Sequence, residues 1–295
     1  MTATARVAAQ AKVNLLLNVL AREASGYHSI ETVFLHIDLA DDVRVRITNG
    51  SRSLDCTGPA LPANGLGSVE QNLAYRAALS YVDAAGWPAG FAIEIEKHIP
   101  VGGGLGGGSA DAGAVLRALD ALSPRPLGAG LLELAGALGS DVPFMAIESP
   151  MALAWSRGER MIALAPLESR PAIVIAPEFS VSTADAYGWL ATERGSYAPA
   201  AALLAPDALA TWESAAAIAH NDFERVVAAR HPEIAELVDE LDSREALIAM
   251  MSGSGSTVFG VFNEAPDAAA ITRSTQRTAI ATRTSERVVR VELER

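Results

Sequence analysis

Residues 100–113, PVGGGLGGGSADAG, constrain this chain more than any other segment. Six of the seven residues from Gly102 to Gly108 are glycine. They lie between an alternating, strand-like run from Phe91 to Lys97, ended by Pro100, and a helical stripe of Val115, Leu116, Leu119 and Leu122. Each glycine in regular structure costs up to ~1 kcal/mol relative to Ala, so such a tract points to backbone that must be bare. A chain without Cβ atoms can turn successive N–H groups inward as a nest for an anion. A helix opening at Ser109 adds its unpaired N–H groups and the positive end of its dipole. The combination fits a di- or triphosphate. A dinucleotide fingerprint is formally present at Gly102, Gly104 and Gly107, but no second strand ending in an acidic residue follows about 20 residues on. A P-loop would need Gly-Lys-Ser/Thr where Gly108-Ser109 stands. A flexible linker is contradicted by the apolar patterns pressing in from both sides.

The 295 residues can bury a large core, and two domains are expected. Half are hydrophobic and a fifth charged, the composition of a folded globular protein. No stretch reaches the roughly 18 apolar residues that span a bilayer, and no apolar run with a cleavage site opens the chain, so no membrane association and a cytoplasmic location are expected. The one cysteine, Cys56, excludes an internal disulfide and reads as a small, semi-buried residue. A formal net charge of −12 argues against a nucleic-acid partner, since affinity there rests on many basic contacts. Only Lys12 and Lys97 among the 23 basic side chains are lysine. They are candidates for work that needs a compact point charge, with two surface lysines as the alternative.

Strands are predicted at Arg6–Gln10, Asn14–Leu20, Glu31–Ile37 and Asp42–Ile47, with a turn at Ala24-Ser25-Gly26. Ser68 and Gln71 form a capping-box pattern opening a helix that stops at Gly86. Helices follow over Ser109–Leu122 and Leu131–Leu138, then strands at Ala152–Trp155, Met161–Leu164 and Ala172–Ile175. Ala-rich helices fill Thr183–Leu241, and strands return at Leu247–Met251, Thr257–Phe262 and Val288–Leu293. The class is α+β.

Lys12 and Asn14 share one face of an alternating strand, either exposed or aimed into a site. Asp141, in Gly139-Ser140-Asp141-Val142-Pro143, reads as a helix cap or as a general base for a substrate hydroxyl. Asn221 with Glu224 reads as a second capping box. The loop Ser252–Ser256 is either a hairpin turn or a wall near substrate phosphates. Tyr27 and His28 continue the turn begun at Ser25-Gly26.

Taken together, AKVNLLLNV, PVGGGLGGGSADA, GSDVPF and MSGSGSTVFGVF resemble the GHMP superfamily of small-molecule kinases. SGYHSIETVF, GLGGGS and NLAYRA resemble its 4-diphosphocytidyl-2-C-methylerythritol kinase branch. The resemblance covers nearly the whole chain. It implies a two-domain fold with the active site in a cleft between an ATP-binding domain, residues 1–158, and a substrate-side domain, residues 159–295. It also implies transfer of the ATP γ-phosphoryl group to the 2-hydroxyl of a small acceptor bearing a cytidine diphosphate group, in the non-mevalonate isoprenoid pathway. ATP and Mg²⁺ are the implied cofactors, with no residue assigned as a metal ligand. Lys12 and Asp141 match the catalytic pair, and Asn14 the adjoining substrate contact. Tyr27, His28 and Tyr187 match the cytosine-recognition positions, with Thr183 on the same side. The phosphate loop corresponds to Pro100, Val101, Gly102, Gly103, Gly104, Leu105, Gly106, Gly107, Gly108 and Ser109, and Asn72 and Lys97 to adenosine-side contacts. Ala110 and Ser140 depart from the commonest pattern, and residues 191–211 match poorly. Other kinases of the superfamily, on mevalonate-type, homoserine or sugar substrates, are the nearest alternative, and Tyr27-His28 argues against them. A non-catalytic nucleotide sensor is opposed by the intact pair Lys12 and Asp141. No sequence feature sets an oligomeric state.

Overall fold

The computed structural model describes residues 3–22, 28–156, 158–195 and 207–294. Its elements run β1 (Thr4–Arg22), β2 (His28–Thr48), β3 (Arg52–Thr57), α1 (Leu73–Ala85), β4 (Gly90–Glu96), α2 (Gly107–Leu122), α3 (Gly130–Leu138), α4 (Val142–Ala146), β5 (Met151–Ser156), β6 (Arg160–Ala163) and β7 (Pro171–Ile175). The rest are α5 (Thr183–Arg194), α6 (Trp212–Ile218), β8 (His220–Asn221), α7 (Asp222–Ala228), α8 (Glu233–Ser243), β9 (Ile248–Met251), β10 (Val258–Val261), α9 (Ala268–Thr275), β11 (Ala279–Arg283) and β12 (Glu292–Glu294).

The four expected N-terminal strands are two long ones. Ala11 and Val13 are fully buried and carry β1 through the expected gap, so the ladder with β2 continues with register shifts at Gln10/Lys12 and Asn14/Leu16. Around this pair an eight-stranded sheet runs in the order β12-β1-β2-β4-β3, with β5 on β2, β6 on β5 and β8 on β1. Because β6 pairs with β5, the division expected at residue 158 falls inside a hairpin. A second, antiparallel sheet has the order β11-β7-β10-β9. Its period-two alternation serves two cores: Val174, Phe259 and Val261 join the first, while Ile173, Ile175 and Val258 face the second with Leu237 and Leu241 of α8.

The Ser68 capping box does not form. Ser68 precedes only a single 3-10 turn and makes no side-chain cap bond; Asn72 caps α1 instead, its Oδ1 accepting from Ala74 N at 2.9 Å. Helix α2 starts two residues before Ser109, and its Gly113 lets α4 sit directly on it: a Cβ there would lie 2.6 Å from the Met145 backbone. Of Val288–Leu293 only Glu292 and Leu293 are in a strand. β3, α9 and β11 are not foreshadowed by periodicity; β3 is an exposed edge strand, and α9 is short and half polar. In β3, burial pushes the Cys56 thiol up to about 11, which leaves it unreactive at neutral pH. The expected turn at residues 24–26 lies outside the described residues. Among the described residues no helix is long and apolar enough to cross a membrane.

Candidate active site

The two glycine-rich loops meet face to face. Strands β9 and β10 present Ser252–Thr257 to the first loop, where Thr257 N donates to Gly103 O at 3.0 Å and Ser252 Oγ to Gly104 O at 3.1 Å. Gly104 is required here, since a Cβ would stand 2.3 Å from Ser252 O and its φ is +84°. From the other side Lys12 N donates to Leu105 O at 3.0 Å, tying β1 to the loop. Gly106 ends the loop at φ +71°; a Cβ there would meet Met145 Cε at 2.7 Å and Lys12 Cε at 3.2 Å. Beyond it Gly108 is exposed, with nothing within 4 Å of where a Cβ would stand, and the first turn of α2 opens outward beside Ser109.

Lys12 is buried, and its ammonium donates to Asn14 Oδ1 at 2.7 Å. Asn14 Nδ2 in turn donates to Thr32 Oγ1 at 2.7 Å, and Thr32 to Leu16 O at 2.6 Å. This relay fixes the lysine, and Thr32, which lies within SGYHSIETVF but had no role assigned to it, is part of it. Asp141 stands at the N-cap position of α4 but makes no side-chain cap bond. Its carboxylate turns to Lys12, with Oδ2 3.4 Å from Nζ, and is 28% exposed toward the cleft. The geometry therefore removes capping as the role of Asp141.

Lys12, Asn14, Asp141, His28, Thr183 and Tyr187 line one cavity of about 1290 Å³, with Gly104 and Gly106 at one end and Gly253 and Ser254 at its wall. In the same cavity the His28 and Tyr187 rings stack, centroids 4.5 Å apart and 13° from parallel, and Phe223 meets Tyr187 edge-on at 4.8 Å. Burial, with the charge of Asp141 adding to it, pushes the Tyr187 phenol up to about 12, so it stays a hydrogen-bond donor at neutral pH. Thr183 Oγ1 lies 3.0 Å from Ser254 Oγ. Tyr27 lies outside the described residues.

Asn72 and Lys97 do not line this cavity. Lys97 is buried beneath the loop, its Nζ bonded to Asp41 and, at 2.6 Å, to Asp111. Burial alone would lower the ammonium pKa, but the two carboxylates outweigh it and the net direction is upward. Asn221, expected to box a helix with Glu224, does cap α7, accepting from Phe223 N at 3.0 Å. Its amide also holds Met251 O and Gly253 O at 2.7 and 2.8 Å, and Glu224 reaches Met251 N at 2.7 Å. Both residues fasten the second glycine loop, a role no local pattern signals.

The sequence and fold of the chain have close parallels. Residues 72–148 match the N-terminal domain of the GHMP kinases, and residues 200–280 their C-terminal domain. The chain is 40% identical to a 4-diphosphocytidyl-2-C-methyl-D-erythritol kinase of Pelotomaculum thermopropionicum, over 94% of this chain and 96% of that one. The chain belongs to this branch of the GHMP kinases. A namesake from Desulfotalea psychrophila is 40% identical, over 86% of this chain and 84% of its own. A crystal structure of 4-(cytidine 5'-diphospho)-2C-methyl-D-erythritol kinase superposes with a TM-score of 0.79 at 35% identity, covering 95% of this GHMP kinase and 99% of that chain. A homoserine kinase from Cytophaga hutchinsonii shares the fold, with a TM-score of 0.67 at 18% identity and coverage of 99% and 97%.

Proposed function

We propose that the protein transfers the γ-phosphoryl group of ATP to the 2-hydroxyl of 4-diphosphocytidyl-2-C-methyl-D-erythritol, a step in the non-mevalonate route to isoprenoid precursors. The observation that carries this reading is the Lys12–Asp141 pair in a cavity that is also lined by an aromatic stack. Phosphoryl transfer asks mainly for positioning and charge stabilisation. The first loop, residues 100–109, and the opening of α2 hold the nucleotide phosphates. Lys12, held by Asn14, neutralises charge on the transferring group, and Asp141 orients the acceptor hydroxyl and takes its proton. Of the oxygen donors present, the Asp141 carboxylate in the cavity and the Ser109 hydroxyl in the first turn of α2 would suit Mg²⁺, which favours hard oxygen ligands and phosphate oxygens. When bound, the ion offsets phosphate charge.

Parallel rings with centroids at 4.5 Å leave no slot for a third, so the cytosine base takes the Tyr187 face that His28 covers. The displaced imidazole moves to the base edge, where a donor and an acceptor nitrogen can separate cytosine from uracil. The ATP-binding lobe, taken from the sequence as residues 1–158, extends through β6 on this reading, and a cytoplasmic location belongs to the same proposal. The test is turnover with ATP and a panel of acceptor alcohols, with cytidine and uridine diphosphate as competitors. Phosphorylation of the named acceptor alone, inhibited far better by the cytidine compound, is expected. Equal inhibition by both would return the protein to the broader kinase class.

A further inference from the structure

The cavity's two aromatic walls come from different lobes. Tyr187 lies on α5, whose last residue is Arg194, and His28 opens β2. Arg194 Nη2 lies 2.5 Å from Asp222 Oδ2, at the start of α7. Arg194 Nη1 donates to Val19 O at 2.5 Å, and Val19 N donates to the same Asp222 Oδ2 at 2.6 Å. Arginine and aspartate thus grip both polar groups of one residue of β1. The second carboxylate oxygen is 3.0 Å from His220 Nε2, so Asp222 has no spare freedom. Val19 pairs with Ile30, two residues from His28, and is the last regular pair before the register shifts between Val19 and Arg22. Where the ladder becomes irregular, a planar fork and a carboxylate replace it.

We infer that the Arg194–Asp222 grip on Val19 sets the spacing between the Tyr187 and His28 walls, making both residues positioning residues for the acceptor's base. The inference rests on the proposed base site. It predicts a selective defect, because the phosphate loop and the Lys12–Asp141 pair are tied down by other bonds.

The experiment compares Arg194→Ala, Asp222→Ala, the double variant and Arg194→Lys with wild type. Arg225→Ala is the control, since it breaks the Arg225–Glu193 ion pair between the same two helices. Each single alanine variant should raise the KM for the acceptor by about tenfold, leaving kcat and the KM for ATP within about twofold. The double variant should be no worse than the poorer single one, because one grip is lost in each. Arg194→Lys keeps the charge but cannot hold both partners, and should fall between. A second readout needs no substrate: stacking on Tyr187 shifts the His28 ring protons in NMR spectra, which contain only five histidines. That shift should collapse in Arg194→Ala, be reduced in Arg194→Lys and persist in Arg225→Ala. An unchanged ring shift, an unchanged acceptor KM, or a parallel loss of ATP binding would overturn the inference. If wild type does not use the acceptor, the functional reading fails, while the ring shift still decides the grip.

Discussion

Lys12 and Lys97 are buried to almost the same degree, 3% and 2% exposed, in quite different company. Lys97 is held by two carboxylates, and the second oxygen of Asp41 takes the backbone N–H groups of His98 and Ile99 at 2.6 and 2.8 Å. Lys12 has one amide oxygen, a partly open carboxylate at 3.4 Å and the face of Phe34 at 5.4 Å, and looks into a large cavity. A buried cation whose bonds are filled by protein stabilises the fold. One that is under-coordinated across open space is held ready for incoming anionic charge. The scarcity of lysine singles out both positions, and the structure gives them different surroundings: Lys97 underpins the phosphate loop from below, while Lys12 faces the cavity.

The comparison can be broken most sharply at Lys97. Lys97→Met leaves Asp41 and Asp111 facing each other without a cation, and should cost ~3–5 kcal/mol of stability in urea titrations. If Lys97 instead served the nucleotide directly, ATP affinity would fall with stability nearly unchanged. Asp141→Asn should lower kcat by on the order of 10²–10³-fold, equivalent to about 3–4 kcal/mol, with the melting temperature and ATP affinity preserved. Turnover within a few-fold of wild type would remove Asp141 as the base.

A third buried base sharpens the contrast through pH. His36, opposite Lys12 in the β1–β2 ladder, has no hydrogen-bond partner at Nε2 among the described residues; its Nδ1 is 3.0 Å from Ala11 O and its ring stacks on Phe144 at 4.3 Å. Burial lowers its pKa to about 4. The unfolded chain then binds a proton between about pH 6.5 and 4 that the folded chain refuses, so stability falls as pH falls through that window. Wild type should lose about 3 kcal/mol more than His36→Phe between pH 7 and 4, by chemical denaturation at each pH. Equal losses would mean that the imidazole is protonated in the fold. Smallest of all, Asn72→Ala should cost about 1 kcal/mol as a lost cap, and leave ATP affinity unchanged by calorimetry.

Much of the site was legible because its residues obey local rules. Period two placed Lys12 and Asn14 on one face, and the glycine tract announced bare backbone between a strand and a helix. Asp141 stayed ambiguous because a cap and a base have the same sequence signature; only the direction of its carboxylate separates them. Ser68 and Gln71 satisfied the capping pattern, yet Asn72 nearer the helix made the bond. Asn221 and Glu224 were legible as a helix start, but their grip on residues 251–253 spans about thirty positions, beyond the reach of any local pattern.

Strand β1 has a consequence for how the chain reaches this structure. Its residues pair with β2 immediately, but also with Asn221 of β8 and with Glu292–Glu294 of β12. Emerging from a ribosome, the opening residues Thr4–Arg6 must therefore wait for Glu292–Glu294 before that stretch of edge is paired. Contacts so distant along the chain slow folding, and an unpaired edge during synthesis invites pairing with other chains. Synthesis stalled short of residue 292 should leave Thr4–Arg6 as an open strand edge.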